Sequence, residues 1–203
     1  NGMSYDDFSV SNEEVGVVLT EKVGPSIASD MTTGAVWAVL LSLIAIALYI
    51  LLRFRDISFS VGALASLAFT SFVIIGFYSL FSGILPFSME IDQSFIAAIL
   101  TIIGYAINDT VVVFDRVREM IGLYPKSDRE EIINKSLNTT LTRTIMTSVT
   151  TALVLLCIFI FGGETIRSFT FAMLFGVIIG TLSTIYVATP IAFVMQKRKI
   201  AKK

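Results

Sequence analysis

GYAINDTVVVFDRVRE, residues 104–119, runs from an apolar helix into a charged loop and carries Asn108, Asp109 and Thr110 inside the apolar part. An ionisable side chain within a membrane span costs roughly 2.5–3.5 kcal/mol on insertion scales. Such groups usually face a bundle interior or a water-filled cavity, and usually have a partner. The other charge set deeply in an apolar run is Arg143, near the start of the next one. Those two residues decide how the rest of the chain is read.

The surrounding composition makes the membrane reading general. Of 203 residues, 55% are hydrophobic and 15% charged, where a soluble domain carries about a quarter charged residues. The charges fall in short blocks between uncharged runs long enough for the about 20 residues that a bilayer requires. The fold class is therefore an all-α polytopic membrane protein. There is no histidine, which excludes a His-based metal site or triad, and the lone Cys157 cannot close an internal disulfide. No zinc or nucleotide motif appears, and Asp109 with Arg143 offers no nucleophile and base, so no enzyme is expected.

The expected segments run in this order. Residues 1–33 are polar and acidic, with Asp6, Asp7, Glu13, Glu14, Glu21 and Asp30 against Lys22. They read as the end of an external domain and a membrane-entry segment, with a short β-like run at Val15–Leu19. Pro25 suits a first helical turn, and a short polar helix over 26–33 leads to the membrane. The opening Asn-Gly-Met-Ser has no basic region or apolar run, so no signal peptide is expected there; an acidic start suits a piece of a longer chain. Five spans follow at about 34–52, 57–80, 93–114, 137–161 and 168–196. The last, with 29 uncharged residues, would extend about 43 Å at helical rise, more than the hydrocarbon core. Pro190 is expected to kink it near its end. Glu90 and Asp92 read as a solvated rim. The basic tail covers 197–203.

Positive charge sets the expected orientation. Arg53, Arg55, the bases of the 115–136 loop (Arg116, Arg118, Lys126, Arg129, Lys135) and five tail bases fall on one side, against Lys22 and Arg167 on the other. The positive-inside rule puts the amino end outside and the tail in the cytoplasm. Within the loop, Val117, Met120, Ile121 and Tyr124 recur at the spacing of an amphipathic interfacial helix. Ser127 to Glu130 has the form of a capping box opening another helix.

Asp109 lies six residues before Asp115, about 9 Å at helical rise, and Arg143 lies six after Leu137. On antiparallel helices the two are expected at comparable depth. Removal from water favours the neutral acid while a nearby opposite charge favours the carboxylate, so an aspartate subject to both can bind and release a proton. Arg143 stays protonated, so Asp109 is read as the carrier and Arg143 as the charge whose engagement alternates. Thr140, Arg143, Thr147 and Thr150 fall on one helical face, with Thr147 the nearest functional candidate; Asn108 and Thr110 complete the proposed proton path. Packing accounts for most hydroxyls in membrane helices, and a structural ion pair is the plain alternative for Asp109 and Arg143. Gly176 and Gly180, spaced as GxxxG, and Gly104 are expected at close helix contacts.

The run at 104–119, LNTTLTRTIMTSVTT at 137–151, FGGETIRSF at 161–169 and the approach EKVGPSIASDM at 21–31 together resemble the SecF protein-export family, over residues 13–196. The resemblance implies a resistance-nodulation-division-type bundle of which this chain holds five helices, in the bacterial cytoplasmic (inner) membrane. It implies SecD as partner, in the same chain or a separate one, and the SecYEG channel and a translocating preprotein as further partners. The lipid bilayer is implied too, with no nucleic acid and no cofactor beyond protons as the coupling ion. It places Asp109 and Arg143, with Thr147 nearby, on the proton path. A scaffold that transports nothing, and a small-molecule or lipid exporter of the same superfamily, are the alternative readings.

Overall fold

A segment buried in hydrocarbon must satisfy its backbone hydrogen bonds internally, so apolar runs of this length become helices. The computed structural model describes residues 25–201 apart from 85, 86, 88 and 90, with side-chain surroundings for 33–198 apart from those four and 165. Its elements are α1 (Pro25–Phe54), α2 (Ile57–Phe81), α3 (Gln93–Leu123), α4 (Arg129–Phe161) and α5 (Glu164–Ser183), then a π-helical turn (Thr184–Ala188) and α6 (Thr189–Ala201). Among the described residues, five helical stretches are long and apolar enough to cross a membrane, and α5, the π turn and α6 supply the last of them, Ile166–Arg198. No strand occurs among the described residues. The β-like run at 15–19, Glu90 and the end of the basic tail at 202–203 lie outside them.

The chain divides into two compact units, Asn1–Gly34 and Ala35–Lys203. Of the first, the described part is the opening of α1, where Pro25 occupies the first turn and the expected short polar helix is continuous with the span. The second is a bundle in which α3 and α4 both pack on α5, α3 packs on α4, and α2 packs on α5 and α6.

Among the described residues, two helix starts carry side-chain caps. Asp56 accepts from the Ser58 N–H at 3.1 Å and Asp92 from the Phe95 N–H at 2.8 Å, each satisfying a donor that the first turn leaves free. Asp92 is exposed as expected, and it also begins α3. The capping box expected from Ser127 does not form: Asp128 is the N-cap of α4 and makes no side-chain cap bond.

The 115–136 segment departs most from expectation. The amphipathic pattern is not a separate interfacial helix but the last turns of α3, with Val117 and Met120 buried in the bundle and Ile121 packed against its core. The reason is continuity: nothing between Asp115 and Leu123 breaks a helix, and the apolar stripe finds Phe54, Phe59 and Ile133 to cover it. Tyr124 stays exposed, with the Lys135 ammonium 5.0 Å from its ring centre. At this basic end Arg53 pairs with Asp115 at 2.8 Å, and Arg118 donates to the Arg53 carbonyl at 3.2 Å, capping α1.

Two apolar clusters make up the core. One gathers Leu67, Ile74 and Tyr78 of α2, Phe95 to Ala106 of α3, and Ala172 and Met173 of α5. The other, at the basic end, gathers Ile50, Phe54, Phe59, Ala63, Phe114, Val117, Ala188 and Ala192. Between them α2, α3, α4, α5 and the π turn contribute buried polar side chains, Thr70, Asp109, Thr110, Thr144, Ser148, Thr181 and Thr184 among them.

Candidate functional site

That polar layer is assembled from helix faces rather than loops. The buried face of α3 passes through Phe95, Ala98, Ile102, Ala106, Asp109, Val113 and Val117, so Asp109 points into the bundle with 5% of its surface exposed. Thr110 is fully buried beside it. Asn108 falls outside that face and is exposed, as is Gly104 one turn earlier. Asn108 therefore stands apart from Asp109 despite their adjacency in sequence.

Interhelical hydroxyl bonds hold the layer together. Thr110 Oγ1 and Thr184 Oγ1 meet at 2.9 Å, joining α3 to the π turn. Ser183 Oγ meets Ser66 Oγ at 2.9 Å and Thr70 Oγ1 at 2.7 Å, joining α5 to α2. Ser148 Oγ meets Thr181 Oγ1 at 2.6 Å, joining α4 to α5. Three of four consecutive positions, Thr181, Ser183 and Thr184, thus tie one short segment to three different helices.

The register of α3 against α4 is fixed by two bonds. Tyr105 Oη donates to Thr151 Oγ1 at 3.3 Å, and Arg116 Nε donates to Thr139 Oγ1 at 3.3 Å. Interpolating between them sets Asp109 level with Met146 and Thr147, and Arg143 about one turn nearer the basic end. The comparable depth expected for Asp109 and Arg143 is corrected by that turn. The ion pairs among the described residues are Arg53–Asp115 and Arg116–Glu119, so the two intramembrane charges do not pair. Arg143 is instead exposed, on a cleft of about 730 Å³ whose walls include Asp115, Arg116, Arg118, Glu119 and Thr140.

The polar stripe of α4 also differs in phase from the expected one. Buried positions follow Ser136, Thr140, Thr144 and Ser148, four residues apart, whereas Arg143 and Thr150 are exposed and Thr147 is half-buried. The Thr147 hydroxyl donates to the Thr144 carbonyl at 3.0 Å on its own helix. The Ser148 hydroxyl, on the buried face of α4, makes its hydrogen bond to Thr181 Oγ1 of α5. Asp109 Oδ2 and Thr144 Oγ1 are buried without a hydrogen-bond partner among the described residues. The four-residue recurrence of Ser136, Thr140, Thr144 and Ser148 was the signal for the stripe that is buried within this chain.

The glycines separate in the same way. A Cβ at Gly176 would run into the Ile102 side chain, and one at Gly180 would lie 3.1 Å from the Ala106 Cβ, so both let α5 close on α3. At Gly104 nothing stands within 4 Å. Gly62, which the pattern did not single out, lets α2 approach the π turn: a Cβ there would lie 2.5 Å from the Ala188 carbonyl oxygen.

Comparison with known proteins adds sequence context. Residues 6–198 match the family described as protein export membrane protein SecD/SecF, C-terminal. The chain is 49% identical over 187 residues to the protein translocase subunit SecF of Rhodothermus marinus, covering 92% of this chain and 60% of that one. It is 42% identical over 181 residues to the subunit of the same name from Rickettsia rickettsii, covering 89% and 56%. The chain thus spans a little more than half the length of these relatives. The crystal structure of SecDF, a translocon-associated membrane protein from Thermus thermophilus, superposes with a TM-score of 0.76 at 40% identity, over 86% of this chain and 23% of that one.

Proposed function

This chain belongs to the SecD/SecF C-terminal family of protein-export membrane proteins, and on that premise we propose that it is the membrane part of a SecF-type translocase component that uses the proton gradient to promote preprotein export. Its partner on this reading is a SecD protein or SecD half-chain, and the assembly works beside the SecYEG channel in the bacterial inner membrane. The amino end lies on the periplasmic side and the basic end on the cytoplasmic side. Its work is conformational rather than catalytic.

The observation that supports this best is Asp109: a carboxyl held inside a membrane bundle, one oxygen without a partner, facing hydroxyls rather than a fixed countercharge. A structural ion pair would have neutralised it directly. Arg143, a turn away on the open cleft, is the counterion that a conformational change could bring to it. One charge moved across 100 mV is worth about 2.3 kcal/mol, and shifting a two-state element from 1:99 to 99:1 takes about 5.5 kcal/mol. One proton biases such a cycle, and a complete switch takes more than one or a steeper gradient.

The test is Asp109→Asn, which keeps size and removes ionisation. In cells lacking the native protein, full chains carrying aspartate or asparagine are compared at matched membrane abundance. Export is expected to fall to the level of cells without the protein. Export at the wild-type level would leave these helices as a scaffold.

A further inference from the structure

The last span is attached unequally along its length. Up to the π turn it is tied to its neighbours by side-chain hydrogen bonds. Tyr78 Oη donates to the Ser168 carbonyl at 2.6 Å, and Thr181, Ser183 and Thr184 meet hydroxyls of α4, α2 and α3. Beyond the turn, the two uncharged polar side chains of α6 are held differently. The Thr189 hydroxyl returns to the Thr184 carbonyl of its own chain, and Gln196 is buried with its Oε1 unpartnered.

Packing follows the same division. α5 packs closely on α4, whereas α6 lies mainly on α2 and touches α4 lightly. The contact with α2 is made by small residues, Gly62 standing against Ala188 and Ala192. Small residues let helices approach closely and leave no long side chains to interlock. The approach is tightest at Ala188, inside the π turn, where a pivot belongs. Such turns are frequent at functional sites and are among the identifiable causes of helix bending. The Thr184 carbonyl takes both the N–H and the hydroxyl of Thr189, so it keeps a donor when the turn flexes.

The far end of α6 has a partner to move towards. Arg129 opens α4 with its Nη1 buried and unpartnered, a donor to match the unpartnered acceptor Gln196 Oε1. The Ser148–Thr181 bond fixes the antiparallel register of α4 against the last span. Carried to the basic end, that register sets Gln196 about level with Ile133. Arg129 lies on the same face of α4 one turn earlier, about 6 Å of rise, which an arginine stem spans. The remaining separation is the sideways gap between α4 and α6. A buried donor and a buried acceptor left unmet are each costly. We propose that the π turn is a hinge, that α6 is its moving arm, and that Arg129 Nη1 donating to Gln196 Oε1 fixes the arm's second position. The fixed side of the hinge is bonded through Thr184 to Thr110, beside Asp109. The inference goes beyond the reading of Asp109 as a proton carrier and does not depend on it.

The experiment uses the full chain with its SecD-type partner in lipid vesicles, carrying Cys157→Ser and spin labels at Asn134→Cys of α4 and Arg198→Cys of α6, both exposed positions. Pulsed electron paramagnetic resonance is expected to give two distances between the labels. Gln196→Met and Arg129→Met are expected to lower the population of the shorter one at least fivefold, while Arg129→Lys, which keeps a donor, holds it within threefold. Labels at Asn134→Cys and Leu182→Cys, which span α4 and the tied part of α5, are expected to give one distance. If Gln196→Met is scarce in the membrane, Arg129→Met tests the same contact. A single Asn134–Arg198 distance in the unsubstituted chain overturns the hinge, as do two distances from the Asn134–Leu182 pair, which would place the movement elsewhere. A Gln196→Met chain with a raised melting temperature and unaltered distances would make Gln196 a merely structural residue and overturn the latch. Export from Asp109→Asn bears on neither.

Discussion

One residue turns an α-helix by about 100°, so the broad buried face of α3 takes in both Asp109 and Thr110, while Asn108, a step to the other side of Asp109, is carried out of it and exposed. That Asp109 turns into the bundle was legible in the sequence, because a carboxyl inside an apolar run is expensive against lipid. Which neighbours it meets was not, because the phase of α4 is set by packing on α5 and not by its own pattern. The glycines show the same limit: Gly176 and Gly180 close on α3, but Gly62 gave no periodic signal and Gly104 faces out of this bundle. Gly62→Ala would press a methyl on the Ala188 carbonyl, which backbone cannot easily yield, and overpacking of this kind costs about 1–3 kcal/mol. A lower melting temperature of the purified protein checks it. Gly104→Ala is expected to leave the melting temperature of the chain unchanged or slightly higher, since no atom lies in its way and alanine is the better helix former.

At the scale of elements, span number and the apolar boundaries followed from length and charge, since hydrocarbon leaves the backbone no other structure. The joints were harder to read. Pro190 was expected to kink the last span, and the structure places a π turn immediately before it, where the Thr189 N–H and Oγ1 both return to the Thr184 carbonyl, the hydroxyl at 2.9 Å. Proline lacks an N–H and crowds the carbonyl four residues back, and a widened turn relieves both. The joint between α1 and α2 holds Arg55 at φ 53°, a left-handed conformation that glycine adopts without a Cβ clash. Arg55→Gly is expected to change stability by between zero and about 1 kcal/mol in the favourable direction, read as a melting temperature that does not fall. A clear drop would show that the arginine side chain contributes more than its strain.

Across the whole molecule, cover is uneven. In the most apolar windows of α2, α3 and the last span, 50%, 44% and 44% is buried, against 6% for α1 and 17% for α4. The uncovered face of α4 includes Arg143, Met146, Val149 and Thr150, a mixture of charge and hydroxyl that lipid alone solvates poorly. Co-expression with a SecD-type partner is therefore expected to raise the membrane abundance of the chain several-fold, measured by immunoblot; equal abundance with and without it would mean that lipid suffices. Composition could not show this, since a lipid-facing and a protein-facing apolar residue are the same residue. The two apolar clusters on either side of the polar layer have an electrical consequence. Apolar packing polarises weakly and hydroxyls polarise readily, so the bundle resembles two insulators in series with a thin conductor between them. A voltage across it falls mainly over the insulators, and a charge at Asp109 sits at an intermediate potential fixed by their relative thickness. Thinning either cluster would move that potential without touching the carboxyl itself.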